Sequence, residues 1–423
     1  MAAQEFVVRA SMLQVGSVLL GQLLNSDHGG HQGPRIPCGH HHQADFVDYR
    51  TKPLQTILGR VALRRAYYHC ATCADTDGRG VIPKDRELDV VGTSFSPGLR
   101  RLMARTGGQE PFDAARRDLA ELAAVTVDTK AVERITEVVG TTIEALNRTE
   151  RTAIVTGTVH PIASAARLYI AMDGTGVPCV PRETQGRTGK QPDGGAKTRE
   201  AKLGCVFTQT TVDAQGYPIR DPHSTTYVGA IETAEEFGPR LHAEALRRGL
   251  TRQSEVVVLG DGAPWIWHLA QHYFPAAVHV VDLYHAREHL GDVAKRVFTP
   301  HSKESKDWVA ARHTELDAGE VDTIIAAIKE LAAHAPRVRD EVRQQAEYFE
   351  TNTLRMCYKY FRAQGFFVGS GVVEAGCKTV IGHRLKQSGM RWTVAGANAV
   401  IALRCQLLSD RWEEVWSRLR FAA

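Results

Sequence analysis

Apolar residues recur at helical spacing over residues 11–25 (SMLQVGSVLLGQLLN), then give way to a Gly-, His- and Pro-rich loop, Asp27–Pro37. Two runs of strand character follow, Asp45–Tyr49 and Val61–His69, joined near Leu58-Gly59. Cys38-Gly39-His40 precedes them and Cys70-Ala71-Thr72-Cys73 closes them, which predicts a small cysteine-closed β-ribbon. Between 97 and 145 the pattern turns helical. Ser96-Pro97 opens one helix, Pro111 a second and Asp128 or Thr129 a third, with Arg100, Arg101, Arg116, Arg117, Lys130 and Arg134 expected on exposed faces. Such a trio suits a helix-turn-helix module and equally suits plain helical packing.

From Arg167 the texture becomes α/β. Short buried-strand patterns are Leu168–Met172, Leu203–Thr211, Thr225–Ile231, Glu255–Leu259 and Val278–Val281, with helices expected over Ala234–Arg248 and Trp265–Tyr273. Three of these strands run into an aspartate: Asp173, Asp261 and Asp282. Lys303–Leu316, Val321–Ala333 and Arg337–Glu350 are dominated by helix formers and charge and predict a helical insertion at about 303–350. The expected division is 1–95 for the N-terminal helix and ribbon, 96–155 for the helical module, and 156–423 for the α/β domain with its insertion.

At 423 residues the chain exceeds what one hydrophobic core usually serves. Its 43% hydrophobic and 24% charged content is that of a folded globular protein. A net charge of +4 permits a nucleic-acid partner without demanding one. No signal peptide is evident, and Met12–Leu24 and Ala276–Tyr284 are short and broken by polar residues, so no membrane span is expected. Eight cysteines without secretion signals suit reduced thiols in the cytoplasm, some on a metal.

Asp173 and Asp261 each follow an apolar β run and precede a glycine (Met172-Asp173-Gly174, Gly260-Asp261-Gly262). Alone, each is ordinary turn chemistry; together, they lie where α/β sheets place ligands, at strand carboxyl ends. A third carboxylate, Glu374, heads Gly371–Leu408, where Cys377–Leu408 holds Lys378, Arg384, Lys386, Arg391 and Arg404 and no acid. Acids beside such a basic stretch fit a phosphodiester held with two Mg²⁺ or Mn²⁺ ions. Lys378, Arg384, Lys386, Arg391 and Trp392 are then candidate DNA contacts, joined by Arg187 and Lys190 of the basic loop at 182–199. That loop brushes against a phosphate-binding motif at Gly186–Gln191, but Gln191 stands where Ser or Thr is required, which excludes ATP.

Met172–Pro178, Leu259–Trp267, Val281–Leu290 and Gly371–Thr393 resemble bacterial insertion-sequence transposases of the Kra group, and the resemblance extends over nearly the whole chain. It implies a DDE transposase with an RNase H-like catalytic fold, its triad carried onto Asp173, Asp261 and Glu374. It also implies that Asp282-Leu283-Tyr284-His285 matches the Asp-x-x-His element of Mutator-type transposases, in which Asp282 and His285 would support the site. The implied partners are double-stranded DNA, as terminal inverted repeats and target, and a second copy of the chain, at the nucleoid in the cytoplasm.

Two rivals stand beside this expectation. One is a DNA-binding relative that has lost catalysis. The other is a zinc peptidase, because His285-Ala286-Arg287-Glu288-His289 is an H-x-x-E-H string. Structural zinc is expected in the ribbon on Cys70, Cys73, Cys38 and His40, with His41 and His42 competing for the last place. Cys179, Cys205, Cys357, Cys377 and Cys405 sit in apolar runs and are expected as core thiols.

Overall fold

The computed structural model describes the chain except residues 39, 74–79, 159–164, 190, 193 and 420–423. It divides into two compact units, Met1–Glu144 with Glu413–Ala423, and Ala145–Trp412.

In the first unit, β1 (Arg35–Pro37), β2 (Gln43–Thr56) and β3 (Gly59–His69) form an antiparallel ribbon. In β3, Val61, Leu63 and Arg65 are buried in alternation, after which the buried positions shift by one to Ala66 and Tyr68. The helix Ala2–Leu24 starts earlier than its apolar spacing predicted. Gly16 and Gly21 of this helix lie beside Leu58 and Val61 of the ribbon. By length and composition it is the one helix among the described residues able to cross a membrane. It is also held to the ribbon: Asn25 at its end donates to the carbonyl of Ala62 and accepts from the amide of Arg64.

Helices follow at Pro97–Gln109, Phe112–Ala123 and Thr129–Val155, the last running beyond the helical pattern expected to 145. Ser96 caps the first, its hydroxyl accepting from Leu99 N at 3.2 Å. Of the six cations expected on exposed faces, Arg100 is buried. It turns inward because Asp89 receives its guanidinium at 2.7 Å, which satisfies a charge that burial alone would penalise.

The second unit is built on one mixed sheet. Its strands are β4 (Arg167–Pro178), β5 (Thr198–Thr208), β8 (Thr226–Ala230), β9 (Glu255–Gly260) and β10 (Val278–Val281), in the order β10-β9-β4-β5-β8. Between β5 and β8 lies a small ribbon of β6 (Thr211–Val212) and β7 (Pro218–Ile219). β4 pairs antiparallel with β5 and parallel with β9, and β9 is parallel to β10. Leu168–Met172 is wholly buried, so both faces of the sheet are covered.

Ala234–Arg247 covers one part of the sheet, capped by a reciprocal Thr233–Glu236 box. A Cβ on Gly204 would come within 2.6 Å of its Leu241, so the glycine permits close helix–sheet approach. Val394–Leu408 packs on β8, where Asn398 accepts from Ile231 N and donates to Ile231 O. The helices expected over about 303–350 are present as Lys303–Ala318, Val321–His334 and Arg339–Asn352, with Ile324, Ile328, Val342 and Phe349 fully buried.

Candidate active site

The site grows out of strand register. β4 and β9 stay paired as far as Ala171 and Leu259, and β9 and β10 as far as Gly260 and Val281. Asp173, Asp261 and Asp282 therefore occupy matching steps at the carboxyl ends of three adjacent parallel strands. Neighbouring strands lie about 4.8 Å apart, so side chains at such steps are forced into each other's company.

β4 does not stop at Asp173, as its apolar run suggested. It continues to Pro178 because β5 goes on pairing with it, down to Pro178 opposite Thr198, after β9 has left. Asp173 thus sits where one side of its strand has lost its partner.

The surroundings of Asp173 carry the electrostatics. Burial pushes its carboxyl up from the ordinary range, and the negative charges of Asp261 and Glu374 push the same way. The Cys377 thiol and the Gly174 amide, which donates at 2.6 Å, oppose this by hydrogen-bonding the carboxylate. Cys377 is therefore more than a core thiol, although it is buried as expected. Two further acids that raise the proton affinity of Asp173 make its surroundings a place that invites cations. They are not gathered as tightly as the cysteine group described below.

Glu374 is exposed on the short helix Gly371–Gly376. Ser370, just before that helix, donates from Oγ to Glu374 Oε1 at 3.3 Å. Its own amide donates to Asp282 Oδ2, while Asp282 Oδ1 accepts from His285 N at 2.9 Å. Asp282 is fully buried, so one carboxylate pins both the Leu283–Val297 helix and the approach to Glu374. Immediately after Glu374, Cys377–Gly382 winds as a π-helix, a form concentrated at functional sites. Arg404 donates to the carbonyls of Val380 (2.6 Å) and Thr379 of that turn.

Asp261 Oδ1 accepts from Ala263 N at 2.9 Å, and the Asp261 carbonyl accepts from Tyr348 Oη at 3.0 Å. Tyr348 belongs to the insertion and stacks on His289 with ring centroids 3.8 Å apart. Burial together with Asp261 and Asp282 drives its hydroxyl far above the ordinary phenol range. Sequence reasoning missed Tyr348 because 87 residues separate it from Asp261. It also missed Glu200, whose carboxylate overlies Gly174 and pairs with Lys202 at 2.6 Å.

The expected DNA contacts divide. Arg187, Lys378, Lys386 and Arg391 are exposed, and Lys386 bonds Thr175 Oγ1 just beyond Asp173. Arg384 and Trp392 are buried instead, the guanidinium lying 4.9 Å from the indole centroid. Stacking and the bond from Trp392 Nε1 to Leu385 O at 3.1 Å explain why they face inward. Lys190 lies outside the described residues.

In the first unit, Cys38, His42, Cys70 and Cys73 bring one donor atom each within 4.8 Å of the others. His42, rather than His40, completes the group; His40 instead supplies a backbone hydrogen bond to Cys38. Cys38 and Cys73 sulfurs are 3.7 Å apart, and His42 Nδ1 is 3.3 Å from Cys73 Sγ. Zinc bonds of about 2.3 Å to sulfur and about 2.0 Å to nitrogen give tetrahedral edges of roughly 3.8 and 3.5 Å. The donor set and its spacing therefore fit Zn²⁺. Backbone hydrogen bonds hold the Cys38 thiol below its usual value, while desolvation and its neighbours push Cys73 up to about 12. A metal removes that conflict by binding every sulfur as thiolate.

No protein-family model matches the chain, and no curated protein matches its sequence. Among solved structures it is similar to the Drosophila P element transposase strand transfer complex, at 8% identity and a TM-score of 0.35. The likeness covers 81% of this chain and 96% of that one. So distant a match fixes no residue's role, and the chemistry rests on the side chains themselves.

Proposed function

We propose that this protein is a DDE-type transposase, cutting DNA at the ends of a mobile element and joining the exposed 3′-hydroxyls to target DNA. The observation that carries the proposal is that Asp261, at a neighbouring parallel strand end, and Glu374, on a downstream helix, both lie near enough to Asp173 for their charges to raise its proton affinity. The sheet supports an RNase H-like assignment: an antiparallel β4-β5-β8 meander extended beyond β4 by parallel β9 and β10. The Kra-group resemblance of the motifs bearing these acids points the same way.

In this proposal the three carboxylates, all hard oxygen donors, hold two Mg²⁺ or Mn²⁺ ions. Such ions supply charge stabilisation for the attacking and leaving oxygens of an in-line phosphodiester displacement. Asp282 keeps Glu374 in reach through Ser370, and Tyr348 fixes the turn after β9. Lys378, Lys386, Arg391 and Arg187 set the register of the DNA backbone. The zinc-fitting ribbon and the helices of the first unit would recognise the terminal repeats. Acting on two ends calls for at least a dimer, and a DNA substrate puts the work at the nucleoid.

The test is a nicking assay on DNA carrying the repeats that flank the gene. Wild-type protein with Mg²⁺ is expected to release 3′-hydroxyl ends, and Asp173→Asn, Asp261→Asn and Glu374→Gln to release none. Equal cutting by the three variants would end the proposal.

A further inference from the structure

His285 and His289 lie one turn apart on the Leu283–Val297 helix, and their Nε2 atoms are 3.2 Å from each other. The opposite nitrogen of each ring faces an oxygen acceptor. His289 Nδ1 is 2.6 Å from Gln345 Oε1, and His285 Nδ1 is 3.5 Å from the Glu288 carboxylate. An acceptor at Nδ1 selects the tautomer protonated there. With both rings in that tautomer, two bare Nε2 lone pairs stand 3.2 Å apart, an arrangement that repels itself unless a cation lies between.

We propose that His285 and His289 form a binding site for a borderline divalent transition ion, of which Zn²⁺ is the natural probe. Imidazole nitrogens at about 2.0–2.1 Å in tetrahedral geometry are about 3.3 Å apart, close to the observed spacing. Ligating histidines characteristically donate their second N–H to a carbonyl or carboxylate, the role Gln345 is placed to fill for His289, with Glu288 within reach of His285. Nitrogen donors select this class of ion over Mg²⁺, which requires oxygen. Tyr348, stacked on His289, fixes that ring's plane. The His285 side chain is 36% exposed, so an ion enters from solvent and keeps open positions for water or an anionic oxygen. The site is separate from the ribbon cysteines and stands whether or not the neighbouring carboxylates cut DNA.

The experiment is equilibrium dialysis of the full chain against micromolar Zn²⁺, with millimolar Mg²⁺ occupying hard-oxygen sites, read by elemental mass spectrometry. Wild type is expected to hold two equivalents, His285→Ala and His289→Ala one, and Cys73→Ser one retained at the histidines. Gln345→Ala is expected to weaken the histidine site roughly tenfold. On unmutated protein, Zn²⁺ should protect both histidines from carbethoxylation, which removes any dependence on the variants' folding. A single equivalent in wild type, two equivalents kept by both histidine variants, or unprotected histidines would overturn the proposal and leave a simple hydrogen-bonded pair.

Discussion

Asp173 and Asp261 stand at the same step of two adjacent parallel strands, each two residues past the last paired positions, Ala171 and Leu259. The sheet holds two like charges side by side, and burial raises the proton affinity of Asp173 further. Removing one of these charges should therefore cost function and relieve the fold. Asp173→Asn is expected to abolish Mg²⁺-dependent cleavage while raising stability in a chelator by on the order of 1 kcal/mol. Thermal unfolding in EDTA checks this; a lowered midpoint would show that Asp173 is structural.

Gly262 is required by its backbone as well as by its neighbour. Its φ is +104°, and a Cβ there would meet the Tyr348 ring at 2.5 Å. Gly262→Ala should cost about 1–3 kcal/mol from conformation alone. It should also displace the turn that aims Asp261, so nicking falls more than stability does. Comparing the chemical-denaturation midpoint with the nicking rate at saturating Mg²⁺ distinguishes the two effects.

Asp282 uses both of its oxygens as acceptors from backbone amides, of His285 and of Ser370. An asparagine has only one acceptor oxygen, so its NH₂ would face an N–H. Asp282→Asn is expected to destabilise by about 2–4 kcal/mol, the cost of a buried donor left facing a donor where a charge-assisted bond stood. Since Ser370 leads to Glu374, half-saturation by Mg²⁺ should rise as well. A neutral effect in denaturant titration would remove Asp282 from its positioning role.

Acid sensitivity should come in part from His279. It stacks on Trp267 at 5.7 Å, Arg355 lies over the other ring contact at 4.7 Å from the indole centroid, and burial holds the imidazole below its usual value. A lowered folded-state value means the fold favours the neutral ring. The stability is fully present above the unfolded value of about 6.5 and is lost as pH falls through the folded one. His279→Phe keeps the stack and should flatten the decline in unfolding midpoint as pH falls below about 6.5. An unchanged slope would place the acid sensitivity elsewhere.

The strand-end aspartates were legible because an apolar run ending in Asp-Gly carries both its strand and its turn in a few residues. The insertion's helices were legible from their composition. What escaped was long-range. Whether β4 ended at Asp173 or ran to Pro178 depended on β5, whose partner residues lie between Thr198 and Thr208. Arg384 and Trp392 looked like a cationic surface because their stacking on each other is invisible in a charge count. His40, His41 and His42 are equivalent as text, and only the turn between β1 and β2 delivers His42 to the cysteines. Gln345 and Tyr348 gave no signal at all, since their meaning lies in what the insertion folds back to touch.

The central claim is that three acids remote in sequence grip the same ions, and iron-directed backbone cleavage tests it most directly. With Fe²⁺ in place of Mg²⁺, ascorbate and peroxide should cut the chain beside Asp173, Asp261 and Glu374 together, and excess Mg²⁺ should suppress all three cuts. Cuts at only one of these segments, or cuts indifferent to Mg²⁺, would contradict it.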